Sequence, residues 1–292
     1  MNPAETRIVE ARGVTRMFGS FTAVDRADIH VEPGEVVGLL GANGAGKTTL
    51  IKMLLGLLYP TSGTVRVFGR PQARELRRRI GYVPQNLGLY RDLTVRENLE
   101  FRAEVFATAG PQDSAARSAP VVAALPLGAQ RTAAFAAATQ HDPELLILDE
   151  PTSGVSPLAR SRLWDLIHER ADGGTGVLVS THYMDEAEQA DRLVLMSMGK
   201  VVTAGDLPGV IGNRRTVSVQ SEHWEQVFVR LDRQGHKLRL DGTAVRVLGE
   251  EVEALRTELD RAGIAATVRS EPATLEEVLI ELDAADDHRG LA

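Results

Sequence analysis

Nine consecutive residues, Gly41-Ala-Asn-Gly-Ala-Gly-Lys-Thr-Thr49, set glycine, lysine and hydroxyl side chains at the spacing of a phosphate-cradling loop. The pattern asks for Gly, four free residues, then Gly-Lys-Thr, and Gly41, Gly46, Lys47 and Thr48 meet it. Asn43, Gly44, Ala45 and Thr49 complete the wrap. A polyphosphate needs many donors at close range, so the backbone must approach it without Cβ atoms in the way. Glycines permit the positive φ values this requires. Successive N–H groups then form an anion nest, and the start of a following helix adds its positive dipole end. Lys47 would reach the β- and γ-phosphates, and Thr48 would offer its hydroxyl to Mg²⁺.

Such a loop must sit between a strand and a helix. The apolar run 36–40 leads in like a buried strand, and residues 48–56 lead out with a helix-compatible pattern. A second group with chemistry lies about a hundred residues on. The run 145–148 reads as a buried strand, and Asp149 and Glu150 follow at its C-terminal end, where α/β proteins place their ligands. Asp149 suits a metal ion, directly or through water. Glu150 suits the polarisation of a water aimed at a γ-phosphate.

The supporting elements read as an α/β core with an antiparallel layer. Short strands are expected at 8–11, 14–18, 21–24 and 29–31, a buried strand at 177–179, and helices at 157–170 and 183–190. A closing hairpin is expected from 193–196 and 201–203 around Gly199-Lys200. Residues 87–140 turn to Ala, Arg and other helix formers, with Pro111 and Pro120 interrupting any long helix. We expect a small, partly irregular helical insertion there. After Gly212 a second domain, 213–292, begins in the order βαββαβ. Its strands are expected at 216–220, 236–240, 244–248 and 264–269, its helices at 222–233 and 250–261, and a last helix at 274–284. Asp241-Gly242 marks a hairpin, and the order is that of a ferredoxin-like split fold.

Bulk properties narrow the function classes. The chain has 292 residues, 43% of them apolar, enough for one large and one small domain. With no cysteine, it has no disulfide, thiolate metal site or thiol nucleophile, which fits a reducing cytoplasm. The net charge of −7, concentrated after residue 212, together with the lack of a basic stripe, argues against nucleic acid as a partner. No run approaches the eighteen apolar residues of a membrane span, and the first thirty residues do not read as a secretory signal.

Several further residues give the chain its resemblance to a family, the ATP-binding subunits of ABC transporters, over about residues 7–212. Phe18 stands where that family has an aromatic that stacks on adenine. Gln85, in Tyr82-Val-Pro-Gln85, stands where it has a glutamine that contacts Mg²⁺ and lines the seam to the membrane partner. His182, in Ser180-Thr-His182, stands where it has the histidine that contacts the γ-phosphate. The phrases Leu93-Thr-Val-Arg-Glu-Asn-Leu99 and Asp149-Glu-Pro-Thr-Ser-Gly154 look most like exporters with a separate permease of the ABC-2 class. The end of the chain, 273–282, is similar to their C-terminal extension.

The resemblance implies a P-loop NTPase fold: an ABC ATPase core in residues 1–212, with the helical insertion at about 87–140, and a small α+β accessory domain. It implies ATP and Mg²⁺ as cofactors, with Thr48, Gln85 and Asp149 at the metal and Glu150 and His182 in catalysis. It also implies an integral ABC-2 type permease as partner. A second ATP-binding subunit, expected to be a copy of the same chain, would join it, all on the inner face of the cell membrane.

The chain departs from the family at three places. Where most relatives carry Leu-Ser-Gly-Gly-Gln to contact the opposite protomer's γ-phosphate, it has Leu125-Pro-Leu-Gly-Ala129, and only Gly128 and the helix dipole remain. Ser156 stands in place of an aspartate in the loop linking the two sites. The stretch 99–125 is shorter than usual by about fifteen residues. Slowed hydrolysis is the first expectation, and a regulatory nucleotide-binding subunit with weak turnover is the alternative.

Overall fold

The structure, a computed structural model, describes residues 7–110 and 119–287, so the expected interruption at Pro111 lies outside the described residues. The chain divides into two compact units, 1–206 and 207–292.

In the first unit, β1 (Val9–Phe18) and β2 (Phe21–Val31) form a hairpin, and β3 (Val36–Leu40) leads into α1 (Lys47–Leu54). Then come β4 (Ser62–Val67), β5 (Arg70–Pro71) and β6 (Ile80–Val83), followed by α2 (Val95–Phe106) and α3 (Leu127–Thr139). The rest alternates: β7 (Leu145–Asp149), α4 (Pro157–Asp172), β8 (Gly176–Thr181), α5 (Met184–Ala187), β9 (Arg192–Ser197) and β10 (Lys200–Gly205). One sheet is antiparallel, in the order β2-β1-β4-β5. The other runs β10-β9-β3-β8-β7-β6 and is parallel apart from β10.

The parallel strands are largely apolar and almost wholly buried because both of their faces are covered. Leu145, Ile147 and Leu178 face a cluster shared with α1 and the antiparallel sheet. Their neighbours Leu146, Leu148, Val177 and Val179 face Phe135 of α3 and Trp164 and Ile167 of α4. Period-two alternation thus joins three layers into one body.

The four short strands expected between residues 8 and 31 are two long ones. Gly13 (φ 55°) and Arg26 (φ 47°) take left-handed backbone inside them, and the pairing resumes after each register shift. These are bulges rather than turns, so polar breaks in the apolar pattern did not end the strands. The helix expected at 183–190 is a single turn, α5. Strands β4, β5 and β6 were not anticipated: β4 and β5 are mostly exposed and carry glycine, arginine and proline, and β6 is only four residues long.

The second unit comprises α6 (Leu207–Ile211), β11 (Arg215–Gln220), α7 (Trp224–Arg233), β12 (Lys237–Asp241), β13 (Ala244–Leu248), α8 (Val252–Arg261), β14 (Thr267–Pro272) and α9 (Leu275–Asp287). Its sheet is antiparallel in the order β12-β13-β11-β14, the arrangement expected of a split βαββαβ unit. Asp241 pairs with Ala244, closing the hairpin over Gly242-Thr243. Arg246 is nearly sealed, and it fastens β13 to α9 through Glu277, with Nε at 2.5 Å and Nη2 at 3.0 Å, while Nη1 reaches Glu271 at 2.7 Å.

Burial raises the Glu277 carboxyl's pKa, but hydrogen bonds from Arg246 and from Thr274 N outweigh it, leaving the group below its ordinary 4.5. A folded-state value below the unfolded one means the stabilisation is complete above that ordinary value and is lost as pH falls through the depressed one. Arg246→Ala should lower the unfolding free energy of this unit by about 3–5 kcal/mol, because it strands a buried carboxylate. Denaturant titration followed by tryptophan emission checks it: Trp224 reports on the second unit and Trp164 on the first. An unmoved Trp224 transition would remove the pair from the account of stability.

Candidate active site

Strand order brings the sequence-distant groups together. β3 lies between β9 and β8, and β8 lies against β7, all parallel, with Leu40 opposite Thr181 and Ser180 opposite Asp149. Parallel neighbours end at the same edge of the sheet. The loop after β3, the acidic pair at the end of β7 and His182 just beyond β8 therefore leave that edge side by side. Gln85 follows two residues after β6 ends.

The loop has the backbone its glycines were expected to permit. Gly44 and Gly46 have φ of 86° and 101°. A Cβ on Gly46 would stand 2.5 Å from Ala23 O, and one on Gly41 would stand 2.3 Å from Met196 O, so neither site admits a side chain without moving backbone. α1 starts at Lys47 with no side-chain cap and no acidic residue in its first turn. Its first N–H groups are thus left to an anion. Lys47 is 5% exposed, and its Nζ donates to Gly41 O (2.6 Å) and Ala42 O (3.1 Å) at the mouth of the loop. Burial draws the ammonium pKa down, partly offset by the charges of Glu150 and Asp149.

A cleft of about 420 Å³ opens over these groups, with Asn43, Gly44, Lys47, Thr48 and Thr49 on one side and Gln85 and Glu150 on the other. Its volume falls within the range of small-molecule sites. Ala45 lies in the loop between the two glycines, 5% exposed.

Asp149 is 1% exposed; its Oδ1 accepts from Ser180 Oγ at 2.6 Å, and its Oδ2 is buried without a hydrogen bond. A buried acceptor oxygen in this state fits a divalent cation or a water bound to one. Glu150 takes left-handed backbone (φ 49°), fixed by its own N–H, which donates to Ser180 Oγ (3.0 Å) and Ser180 O (3.2 Å). That turn carries its carboxylate back towards the loop. Oε1 lies 3.9 Å from Lys47 Nζ, and Oε2 lies 3.3 Å from Gln85 Nε2 and 3.6 Å from His182 Nδ1. A base so placed is within reach of a water above the phosphate loop. Tyr82, at the end of β6, stays protonated, its pKa pushed to about 12 by burial and by the charge of Asp149.

Lys47, Thr48, Thr49, Gln85, Glu150 and His182 thus gather at one place. Two other expected residues do not. Phe18 lies outside the lining of the cleft, and its ring sits under the Arg16 guanidinium at 4.6 Å. Its cross-strand partner Phe21, 65% exposed, lines the cleft instead. Gly128 lies in the first turn of α3, where an added Cβ would come within 2.8 Å of Ala159 Cβ in α4. Pro126 occupies the N-cap of α3 without a capping bond, and Ser156 caps α4 by accepting from Ala159 N at 3.4 Å.

Sequence reasoning missed Ser180, Phe21 and Arg131. Arg131, 7% exposed on α3, donates to Gln85 O (3.1 Å) and Ser153 O (3.4 Å), holding together the segments that carry Gln85 and Glu150. Burial lowers its pKa, and Glu150 partly restores it. An arginine in an alanine-rich helix carries no local sign of such a contact.

Comparison with known proteins identifies the family and the fold. Residues 24–153 match the ABC transporter family. The chain is 38% identical over 244 residues to the probable multidrug ABC transporter ATP-binding protein YbhF of Escherichia coli K12; the match spans 78% of this chain and 42% of that longer protein. It is 33% identical over 299 residues to the Nod factor export ATP-binding protein I of Mesorhizobium japonicum, covering 96% of this chain and 87% of the relative. To the daunorubicin/doxorubicin resistance ATP-binding protein DrrA of Streptomyces peucetius it is 37% identical, covering 73% and 70%. Among solved structures, an ATP-binding subunit of an ABC transporter superposes with a TM-score of 0.61 over 87% of this chain and 99% of its own, at 24% identity. A dimeric bacterial ABC transporter cassette gives 0.62 over 68% and 98%, at 22% identity. Both structures carry the same fold.

Proposed function

This chain belongs to the ABC transporter family of ATP-binding proteins, and from that premise we propose that it hydrolyses ATP to power an exporter whose membrane-spanning part is a separate ABC-2 type permease. The observation that carries the reading is the position of Glu150, 3.9 Å from Lys47 and beside the glycine loop, with Gln85 and His182 around it. The export roles in the names of similar proteins support the direction of transport.

In this reading the loop N–H groups and Lys47 bind the β- and γ-phosphates. Thr48, Asp149 and Gln85 would hold Mg²⁺, and the chemistry it would supply there is neutralisation of phosphate charge. Glu150 takes the proton of the attacking water, and His182 orients the γ-phosphate. Phe21 or Phe18, flanking the β1–β2 turn, stacks on the base. Two copies meet head-to-tail, so that the α3 start, with Leu127 and Gly128, faces the phosphate held by the other copy. Closure over ATP and opening after hydrolysis then work the permease, because the γ-phosphate bridges the two copies only before cleavage. The pair is held at the inner face of the membrane through the permease. Among the described residues no helix is long and apolar enough to cross it. Residues 213–292 act as an accessory domain.

Pro126 lacks both the hydroxyl and the N–H of a serine there. Loss of one charge-assisted bond is worth about 1.5–3 kcal/mol, or roughly 10–100-fold in rate. We therefore expect Mg²⁺-dependent phosphate release from the purified chain that is slow alone and rises with the permease in a membrane. Release that stays undetectable with the permease present, while nucleotide still binds, would favour the regulatory reading.

A further inference from the structure

Among the described residues, and outside the groups already covered, one carboxylate is completely sealed from solvent: Glu186, 0% exposed, in α5. Its Oε1 accepts from Thr152 Oγ1 at 2.6 Å and pairs with Arg160 Nε at 3.0 Å; its Oε2 accepts from Thr181 Oγ1 at 2.8 Å. Those partners have particular addresses. Thr152 stands two residues beyond Glu150, Thr181 immediately precedes His182, and Arg160 lies in the first turns of α4. Thr181 Oγ1 also accepts from Tyr183 N at 3.0 Å. The Arg160 guanidinium covers the Tyr183 ring at 4.4 Å, and that ring lies 4.2 Å from the ring of His182.

His182 itself is held by little. Its Nδ1 is buried without a hydrogen bond, 3.6 Å from Glu150 Oε2. Its place is therefore set by its neighbours in the chain, both of which are tied to Glu186 directly or through one side chain. The same carboxylate ties the segment that follows Glu150. We infer that Glu186 is a positioning residue: it fixes His182 relative to Glu150 by fastening Thr181 and Thr152 to one buried point, with Arg160 supplying the counter-charge. Sealing a carboxylate forfeits solvation that an apolar residue would not lose. A position used only for packing would be served better by leucine or methionine. The inference rests on the ATPase reading above for its effect on turnover, though its geometric content does not.

Two measurements on the intact chain test it. Glu186→Gln keeps the size of the side chain and removes its charge. The variant should bind ATP within about threefold of the parent while kcat falls on the order of 10–100-fold, the scale of a displaced catalytic group. In nucleotide-free protein labelled at histidine with ¹⁵N, the His182 ring resonance, assigned through His182→Ala, should shift or broaden in the variant. Thr181→Val, which removes only the hydroxyl, should move the same resonance and lower kcat. It supplies the test if Glu186→Gln does not fold. Parental kcat together with an unmoved ring resonance would overturn the inference. A parent that binds no ATP would overturn the ATPase reading instead, and the ring resonance would still decide whether Glu186 places His182.

Discussion

Glu150→Gln should bind Mg-ATP within a few-fold of the parent and release phosphate about 10²–10⁴ times more slowly, the usual worth of a general base. The substitution keeps the side-chain volume and the backbone bonds from Glu150 N to Ser180, so the turn that aims the side chain persists. An amide cannot take a proton from water, and it pairs less well with Lys47. In the proposed reading, binding rests on the loop, Lys47 and Thr48, none of which the substitution changes. If closure depends on the uncleaved γ-phosphate, a form that cannot cleave it should also accumulate as an ATP-dependent dimer in sedimentation. Parental phosphate release by Glu150→Gln would remove this residue from the base role and leave His182 as the next to test.

The second large effect is expected at Lys47. Lys47→Ala should weaken ATP binding by about 2–5 kcal/mol, the cost of truncating one partner of a buried charge pair, which is roughly 30- to 4,000-fold in Kd. The side chain is nearly sealed, with Gly41 O and Ala42 O as partners at the entrance to the loop. Its burial already lowers its pKa, so the folded chain bears a desolvation cost for a charge that a polyphosphate would satisfy. Removing it should change the melting temperature little. Isothermal titration with ATP and Mg²⁺ reads the affinity directly. An affinity within threefold of the parent would mean that the phosphates lie elsewhere.

The parts of the site that could be read from the chain are those whose chemistry is local. Gly41 to Thr49 is one contiguous segment, legible from its residue types and spacing, although the close approaches of Gly41 to Met196 O and of Gly46 to Ala23 O are visible only in the structure. Asp149 and Glu150 are legible because an apolar strand ends on them. Ser180, Arg131 and Glu186 were not legible, because each acts on partners 30 or more residues away: Ser180 on Asp149, Arg131 on Gln85, Glu186 on Thr152. Those contacts depend on β8 lying beside β7 and on α3 crossing near β6, and no short pattern encodes strand order. Phe18 and Phe21 mark the limit most closely. The hairpin places them opposite each other across a two-residue turn, and only the structure distinguishes the ring under Arg16 from the ring in the cleft. The alternation of Val217 and Val219 with Thr216 and Ser218 was legible as a strand, but the ion pair of Arg246 on the polar face was not.

The backbone at Glu150 sets comfort against usefulness. A side chain in left-handed geometry bears a penalty of about 1–2 kcal/mol that glycine escapes, so a sequence tuned only for heat resistance would drift towards glycine at this position. If Glu150 is the base proposed above, such a drift would yield a sturdier molecule unable to activate water. Directed improvement of thermal tolerance should therefore leave residue 150 fixed and seek its gains elsewhere in the chain.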